Sequence, residues 1–127
     1  MVRTMSQDNL MERTMRFGLR VRRLARALPR NDYGRAIGGE LERTVGSIGA
    51  HYRAACRARS THERIEQLWT AEEDADDSAY WMEVVSGARL MRRERLVPLL
   101  QEAHEIAAIM AAARESASRR RKRKART

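Results

Sequence analysis

The sequence predicts an all-α fold, an antiparallel up-down-up-down four-helix bundle, and three observations carry that prediction. Four separate stretches place apolar residues at helical spacing, and Pro29, Ser60 and Gly87 break the pattern between them. Aromatic residues make up only 5% of the chain, while Ala, Leu, Arg and Glu are common, the composition of a helical bundle rather than a sandwich or barrel. A length of 127 residues suits one domain with a single modest core. The expected layout is a flexible segment over 1–12, the bundle over 13–117 and a disordered polybasic tail over 118–127.

In the first helix, Leu10, Phe17, Val21, Leu24 and Leu28 form a heptad-spaced stripe, with Thr14 in the vacant place. Ser6 and Asp8 are both suited to cap its start. Pro29 ends it, and Pro-Arg-Asn-Asp-Tyr-Gly reads as a turn. The second helix is expected from Tyr33 to Arg59. Ile37, Leu41, Thr44, Ile48, Tyr52 and Ala55 draw its apolar stripe, and Gly39, Gly46 and Gly49 share a side that another backbone could approach closely. Each glycine inside a helix costs about 0.5–1 kcal/mol relative to alanine, so packing must offset the loss.

Ser60 or Thr61 caps the third helix, with Glu63 placed early against the helix dipole. Ile65, Leu68, Ala75, Ala79 and Met82 line its apolar side. Glu72 interrupts that stripe, and a carboxylate there requires a basic partner, a polar seam or a subunit contact. Trp81, beside Tyr80, is expected to supply core and interface area. Ser86-Gly87 loosens the end, and Pro98 fits the first turn of the fourth helix. There Leu96, Leu99, Leu100, Ala103, Ile106, Ala107 and Met110 make a broad apolar side. No apolar periodicity survives in the final run of arginines and lysines, hence the expectation of a tail without structure.

The net charge of +9 is unevenly distributed: +8 over residues 1–59, −6 over 60–90 and +7 over 91–127. Such an excess calls for a polyanion, and nucleic acid is the commonest one. Candidate phosphate ligands are Arg13, Arg16, Arg20 and Arg23 on the first helix, Arg53, Arg57 and Arg59 on the second, and Arg119, Arg120, Arg121, Lys122, Arg123 and Lys124 in the tail. Glu12 is the only acid between residues 11 and 30, so the first-helix arginines are expected to lack local partners. They read equally as a solvated face or as partners of the acidic third helix. Gly39, Gly46, Gly49, Glu72 and Trp81 are the candidate interface between copies.

Catalytic chemistry finds no constellation. His51, His62 and His104 are scattered, and Glu-x-x-His, needed twice for a di-iron bundle, is absent. Glu72, Glu73, Asp74, Asp76 and Asp77 point in several directions and lack an oxygen-rich loop, so no metal or other cofactor is expected. Cys56 is the sole cysteine, which excludes an internal disulfide and fits a reducing cytoplasm. No run of eighteen apolar residues suggests a membrane span, and the N-terminal stretch lacks the apolar centre of a secretory signal.

SIGAHYRAACRARS, preceded by RALP and followed by EEDADDSAYWMEVV, resembles the 23S rRNA-intervening-sequence proteins, whose typical phrases are SIgANyrEArrArS and KEAdETxYWL. The resemblance covers roughly residues 13 to 113. His51, Ala54, Glu40 and Arg64 stand where that family has Asn, Glu, Gln and Phe. It implies a four-helix bundle assembled into a ring-shaped homopentamer, in which basic faces add together, and it favours RNA over DNA as the partner. A related branch serves diversity-generating retroelements, binding a reverse transcriptase and its template RNA. A protein–protein adaptor bundle is the remaining reading of the same residues.

Overall fold

The computed structural model describes residues 5–126 of the chain. Four helices follow one another: α1 (Met5–Arg26), α2 (Asp32–Cys56), α3 (Thr61–Gly87) and α4 (Arg93–Arg126). Short connections make successive helices antiparallel neighbours. α2 packs against α1 and α3, and α3 packs against α4, whereas α1 and α4 meet along a thin seam.

The stripes read from the sequence face inward, with Leu10 and Ile65 only partly buried. Phe17, Val21, Leu41, Ile48, Met82, Leu96, Ile106 and Met110 are buried, with Leu68, Ala75 and Ala79 between them. Removing such a side chain from water contributes about 1.5–3 kcal/mol each, which is what holds four weakly nucleating helices together. Thr14, Thr44 and Ser78 are buried too, and each hydroxyl donates to a carbonyl of its own helix, at 3.0, 3.1 and 2.7 Å. By length and composition a stretch of α4 is apolar enough to cross a membrane. In the bundle that apolarity lies on Leu96, Leu99, Leu100, Ala103, Ile106, Ala107 and Met110, which face the core.

The turns follow elementary rules. Asn31 caps α2, its side chain accepting from the Gly34 amide at 2.8 Å, and Ser60 caps α3 by accepting from Glu63 at 3.1 Å. α3 ends in a Schellman motif: Leu90 N–H donates to the Val85 carbonyl and Arg89 N–H to that of Ser86, both at 3.0 Å. Leu90 then folds back on the core. The left-handed position of that motif belongs to Arg89 (φ 57°) rather than to Gly87, which remains helical. Arg93 steadies the connection with two bonds to Glu83, at 2.9 and 3.2 Å.

Four boundaries differ from the sequence expectation. α2 ends at Cys56, short of the expected Arg59. α1 begins by Met5, so most of the segment expected to be flexible is helical, and Ser6 and Asp8 lie inside the helix instead of capping it. α4 begins at Arg93, which puts Pro98 in its second turn, where the missing N–H leaves only the Glu94 carbonyl, on a solvent-exposed residue, without a helical donor. Most consequentially, α4 continues to Arg126, and residues 118–126 are helical rather than disordered. No Gly or Pro interrupts the sequence after Pro98. Extending an existing helix avoids the nucleation cost, and cations near its C-terminus are favoured by the dipole.

Two glycines separate packing from propensity. A Cβ on Gly34 would lie 2.0 Å from the Pro29 carbonyl oxygen, whereas one on Gly87 meets nothing within 4 Å. Gly34→Ala should therefore unfold or strongly weaken the α1–α2 turn, at a cost above about 2 kcal/mol. Gly87→Ala should gain about 0.4–1 kcal/mol. Paired thermal melts check both signs.

Candidate nucleic-acid interface

The basic residues separate into two regions. Along α1, Arg13, Arg16, Arg20 and Arg23 recur at helical spacing on the side that turns toward α4. They are not equivalent. Arg13 donates from Nε and Nη2 to the two carboxylate oxygens of Glu102 on α4, at 2.8 and 2.6 Å, and reaches Glu105 at 3.3 Å. These bonds raise the Arg13 pKa and hold the Glu102 carboxyl below the usual carboxylate range. Arg13 thus closes the α1–α4 seam, its guanidinium held by Glu102 and Glu105. Its partner is on α4, not on the acidic α3. Arg16 pairs with Glu12 at 2.6 Å, one turn earlier, so the face does have a local partner after all.

Arg20 and Arg23 behave differently. Both are exposed, and with Arg95 of α4 they line a hollow over the seam floored by Leu24, Ala27, Pro98 and Leu99. Among the described residues, no carboxylate lines it. Arg95 comes from the first turn of α4, and its proximity to α1 depends on chain topology, so the sequence reading passed over it.

A second region lies at the opposite end of the bundle. Arg53 in the last turn of α2, and Arg57 and Arg59 in the connection that follows it, are exposed. The antiparallel order brings the start of α3 and the end of α4 to the same place, and there Arg64 and Arg120 line one hollow with Tyr52, Cys56 and Gln7. Arg119 to Lys124 project beyond it, all exposed. Burial pushes the Tyr52 hydroxyl up, with help from its hydrogen bond to Cys56. Both side chains are buried and belong to the core. Among the described residues, no cluster of three His, Cys, Asp or Glu side chains is arranged to hold a metal ion.

The residues expected between copies are redistributed. Glu72 accepts from Arg114 Nε at 2.9 Å, and the Arg114 guanidinium lies 5.0 Å from the centre of the Trp69 ring, so the interruption of the α3 stripe is answered within the chain. A Cβ on Gly49 would come within 3.2 Å of the Thr14 hydroxyl, so this glycine serves the α1–α2 contact. Gly18 and Gly38 make similar approaches, to the carbonyl oxygens of Val45 and Ala25. Gly39 and Gly46 face open space, and Trp81 is half-buried against the core. Gly46 opens into an apolar groove between α1 and α2 that includes Met15 and Leu19, both more than half exposed at 58% and 52%. No sequence pattern marked those two side chains, because they lie on the solvent side of the α1 stripe. Across the bundle, α3 exposes Trp69 and Tyr80 among Glu66, Glu73, Asp76 and Asp77.

In fold, the chain is similar to a crystallised protein of the S23 ribosomal protein family from Bacteroides thetaiotaomicron, itself described as having unknown function. The TM-score is 0.80 at 22% identity, over 87% of this chain and 99% of the other. The likeness concerns the four-helix architecture. No family model and no curated protein matches the chain.

The Arg13–Glu102 pair has a two-sided consequence. Glu102→Gln should lower stability by about 1–2 kcal/mol, because the pair is only partly exposed to water. It should also release Arg13 and steepen the salt dependence of nucleic-acid binding by up to about 0.7–0.9 in the log–log slope. The Glu102 carboxyl is held low in the folded state, so its contribution is complete above its ordinary value of 4.5 and is lost as pH falls through the lower folded value. Melting curves from pH 7 to 3 should therefore decline less for Glu102→Gln than for the unmodified protein.

Proposed function

We propose that this protein is a noncatalytic nucleic-acid-binding protein that takes RNA through its phosphate backbone, with several basic bundles presented on one closed homo-oligomeric ring. The observation that carries the reading is the α1–α4 hollow, where Arg20, Arg23 and Arg95 converge without a carboxylate among its lining residues. Arginines from two helices held by one seam keep a fixed spacing, and their planar forks suit phosphate oxygens. Phosphate contacts of this kind position a nucleic acid without reading its bases. The preference for RNA rests on the sequence resemblance, and the fold shared with a member of a ribosomal protein family is in keeping with it.

The ring supplies multivalency. A single bundle offers few phosphate contacts, and linking several raises overall affinity without any new kind of contact. The α1–α2 groove, apolar at Met15 and Leu19 and flanked by Arg53 and by Arg22 with its neighbour Glu42, suits the aromatic outer side of α3 on a neighbouring copy. Two different surfaces joined head to tail generate rings when the rotation closes. Five copies is the number that the sequence resemblance supports.

Replacing Arg20, Arg23 and Arg95 together by Gln should weaken RNA binding and reduce the salt slope by about 0.7–0.9 for each phosphate no longer neutralised, with little change in melting temperature. An unchanged slope would reject the hollow as the binding face. In light scattering, the unmodified protein should run as a multiple of the 14.7 kDa chain at micromolar concentration, and Leu19→Glu should shift it toward the monomer. A monomer before substitution would remove the ring from the reading.

A further inference from the structure

We propose that the overhanging end of α4, residues 119–126, is a helical element that seats in the groove of a nucleic-acid duplex, between its two rows of phosphates. The proposal rests on the phosphate-binding reading above and adds a ligand class to it. That class is a duplex whose groove is about as wide as an α-helix. B-form DNA offers such a groove on its major side, and RNA offers one where a bulge or internal loop opens the otherwise deep and narrow groove of its A-form helix.

The bundle stops before α4 does. Ala117 is the last buried residue of the helix, and every residue from Arg119 to Arg126 is exposed. Because α4 runs unbroken from the core, this end is a stiff projection whose direction the bundle sets. Eight residues at about 1.5 Å each project roughly 12 Å along the axis, and a helix with its side chains is about 10–12 Å across, close to the width of about 12 Å of a B-form major groove.

Charge covers the projection on all sides. Arg119, Arg120, Arg121 and Lys122 are consecutive, about 100° apart around the axis at 3.6 residues per turn, and Arg123, Lys124 and Arg126 fill the next turn. Glu115 stands one turn before Arg119, and between Arg120 and Arg126 the sequence holds no further acidic residue. Like charges therefore face each other at Arg119–Arg123, Arg120–Lys124 and Lys122–Arg126. A single strand lying along one side would answer only part of this field. A groove puts phosphates on both sides at once, so the number of neutralised charges is highest there.

The root of the projection is also placed for such a ligand. Arg120 shares a hollow with Arg64 at the start of α3, and Arg57 and Arg59 are exposed at the same bundle end. The outer backbone of a duplex that received the overhang would meet this second basic surface.

The test uses the full chain and four probes of equal length: a B-form DNA duplex, an RNA duplex with a central bulge, an unbroken RNA duplex and a single-stranded RNA. Binding is titrated at several salt concentrations. The unmodified protein should prefer the first two probes over the last two by about tenfold or more at matched salt. A variant with two glycines inserted between Ser118 and Arg119 retains every charge but uncouples the projection from the bundle. It should keep single-strand binding and lose most of that preference. Replacement of Arg119, Arg121 and Arg123 by Gln should reduce the salt slope on the favoured duplex more than on the single strand. Preference for B-form DNA alone, or for bulged RNA alone, identifies which source of groove the protein uses, and either supports the proposal. Equal binding to single strands and grooved duplexes, or an insertion variant with the preference intact, overturns it. No binding to any probe by the unmodified chain would overturn the underlying phosphate-binding reading as well, so the two failures are distinguishable.

Discussion

The seam between the first and last helices is where the packing and the charge of this protein meet. In an up-down bundle, turns make α1–α2, α2–α3 and α3–α4 neighbours by connectivity, but nothing in the chain path joins α1 to α4. Closure relies on inward apolar residues such as Phe17 and Leu99, reinforced by one bidentate ion pair, Arg13 to Glu102. A fork-to-fork pair is stronger than a neutral hydrogen bond and more exacting in geometry, so it favours one register of the two helices. Further along the same seam Arg20 and Arg23 line a hollow with Arg95.

Many of the 17 carboxylates are paired with arginines, and the excess of basic residues still leaves strongly positive surfaces. Glu12, Glu40 and Glu83 pair with arginines close by in sequence, at Arg16, Arg43 and Arg93. Glu72 and Glu102 tie α4 to its two neighbours through Arg114 and Arg13. Glu42 stands within 4 Å of both Arg22 and Arg26, at 3.7 and 3.8 Å. Basic side chains gather in the seam hollow and at the end where α4 leaves the bundle. On α3 the leftover charge is negative and lies beside Trp69 and Tyr80. The molecule thus has basic regions on α1, α2 and α4 and an acidic, aromatic side on α3.

The glycines illustrate how a residue pattern and its use can diverge. On paper Gly39, Gly46 and Gly49 form one small-residue side, as though all served one contact. In the bundle Gly49 lets α2 approach Thr14, and Gly38, not singled out by spacing, approaches the Ala25 carbonyl. Gly34 permits the tight return after Pro29, which any Cβ would block. Gly39 and Gly46 face outward. Helical periodicity can place residues on a common side, but which neighbour stands over that side depends on crossing angle and height, quantities with no local signature.

By itself the sequence determined the architecture and the core. The stripes at Phe17–Val21–Leu24, Leu41–Thr44–Ile48–Tyr52 and Leu96–Leu99–Leu100–Ala103 all lie inside, because burying an apolar face at a period of 3.6 leaves little choice once each helix exists. The cap at Ser60 was equally legible, since capping is local chemistry between residues three apart. Tertiary structure alone decided the state of each charge. Arg13 and Arg20 look alike in sequence, yet one is held by Glu102, eighty-nine positions away, and the other opens onto the hollow with Arg95. The last turns of α4 were misread for a related reason. A run of like charges without apolar periodicity looks disordered when taken alone, but as the continuation of an already packed helix it need not nucleate. Long-range partners and inherited helix are properties of the folded chain, and no window of neighbouring residues contains them.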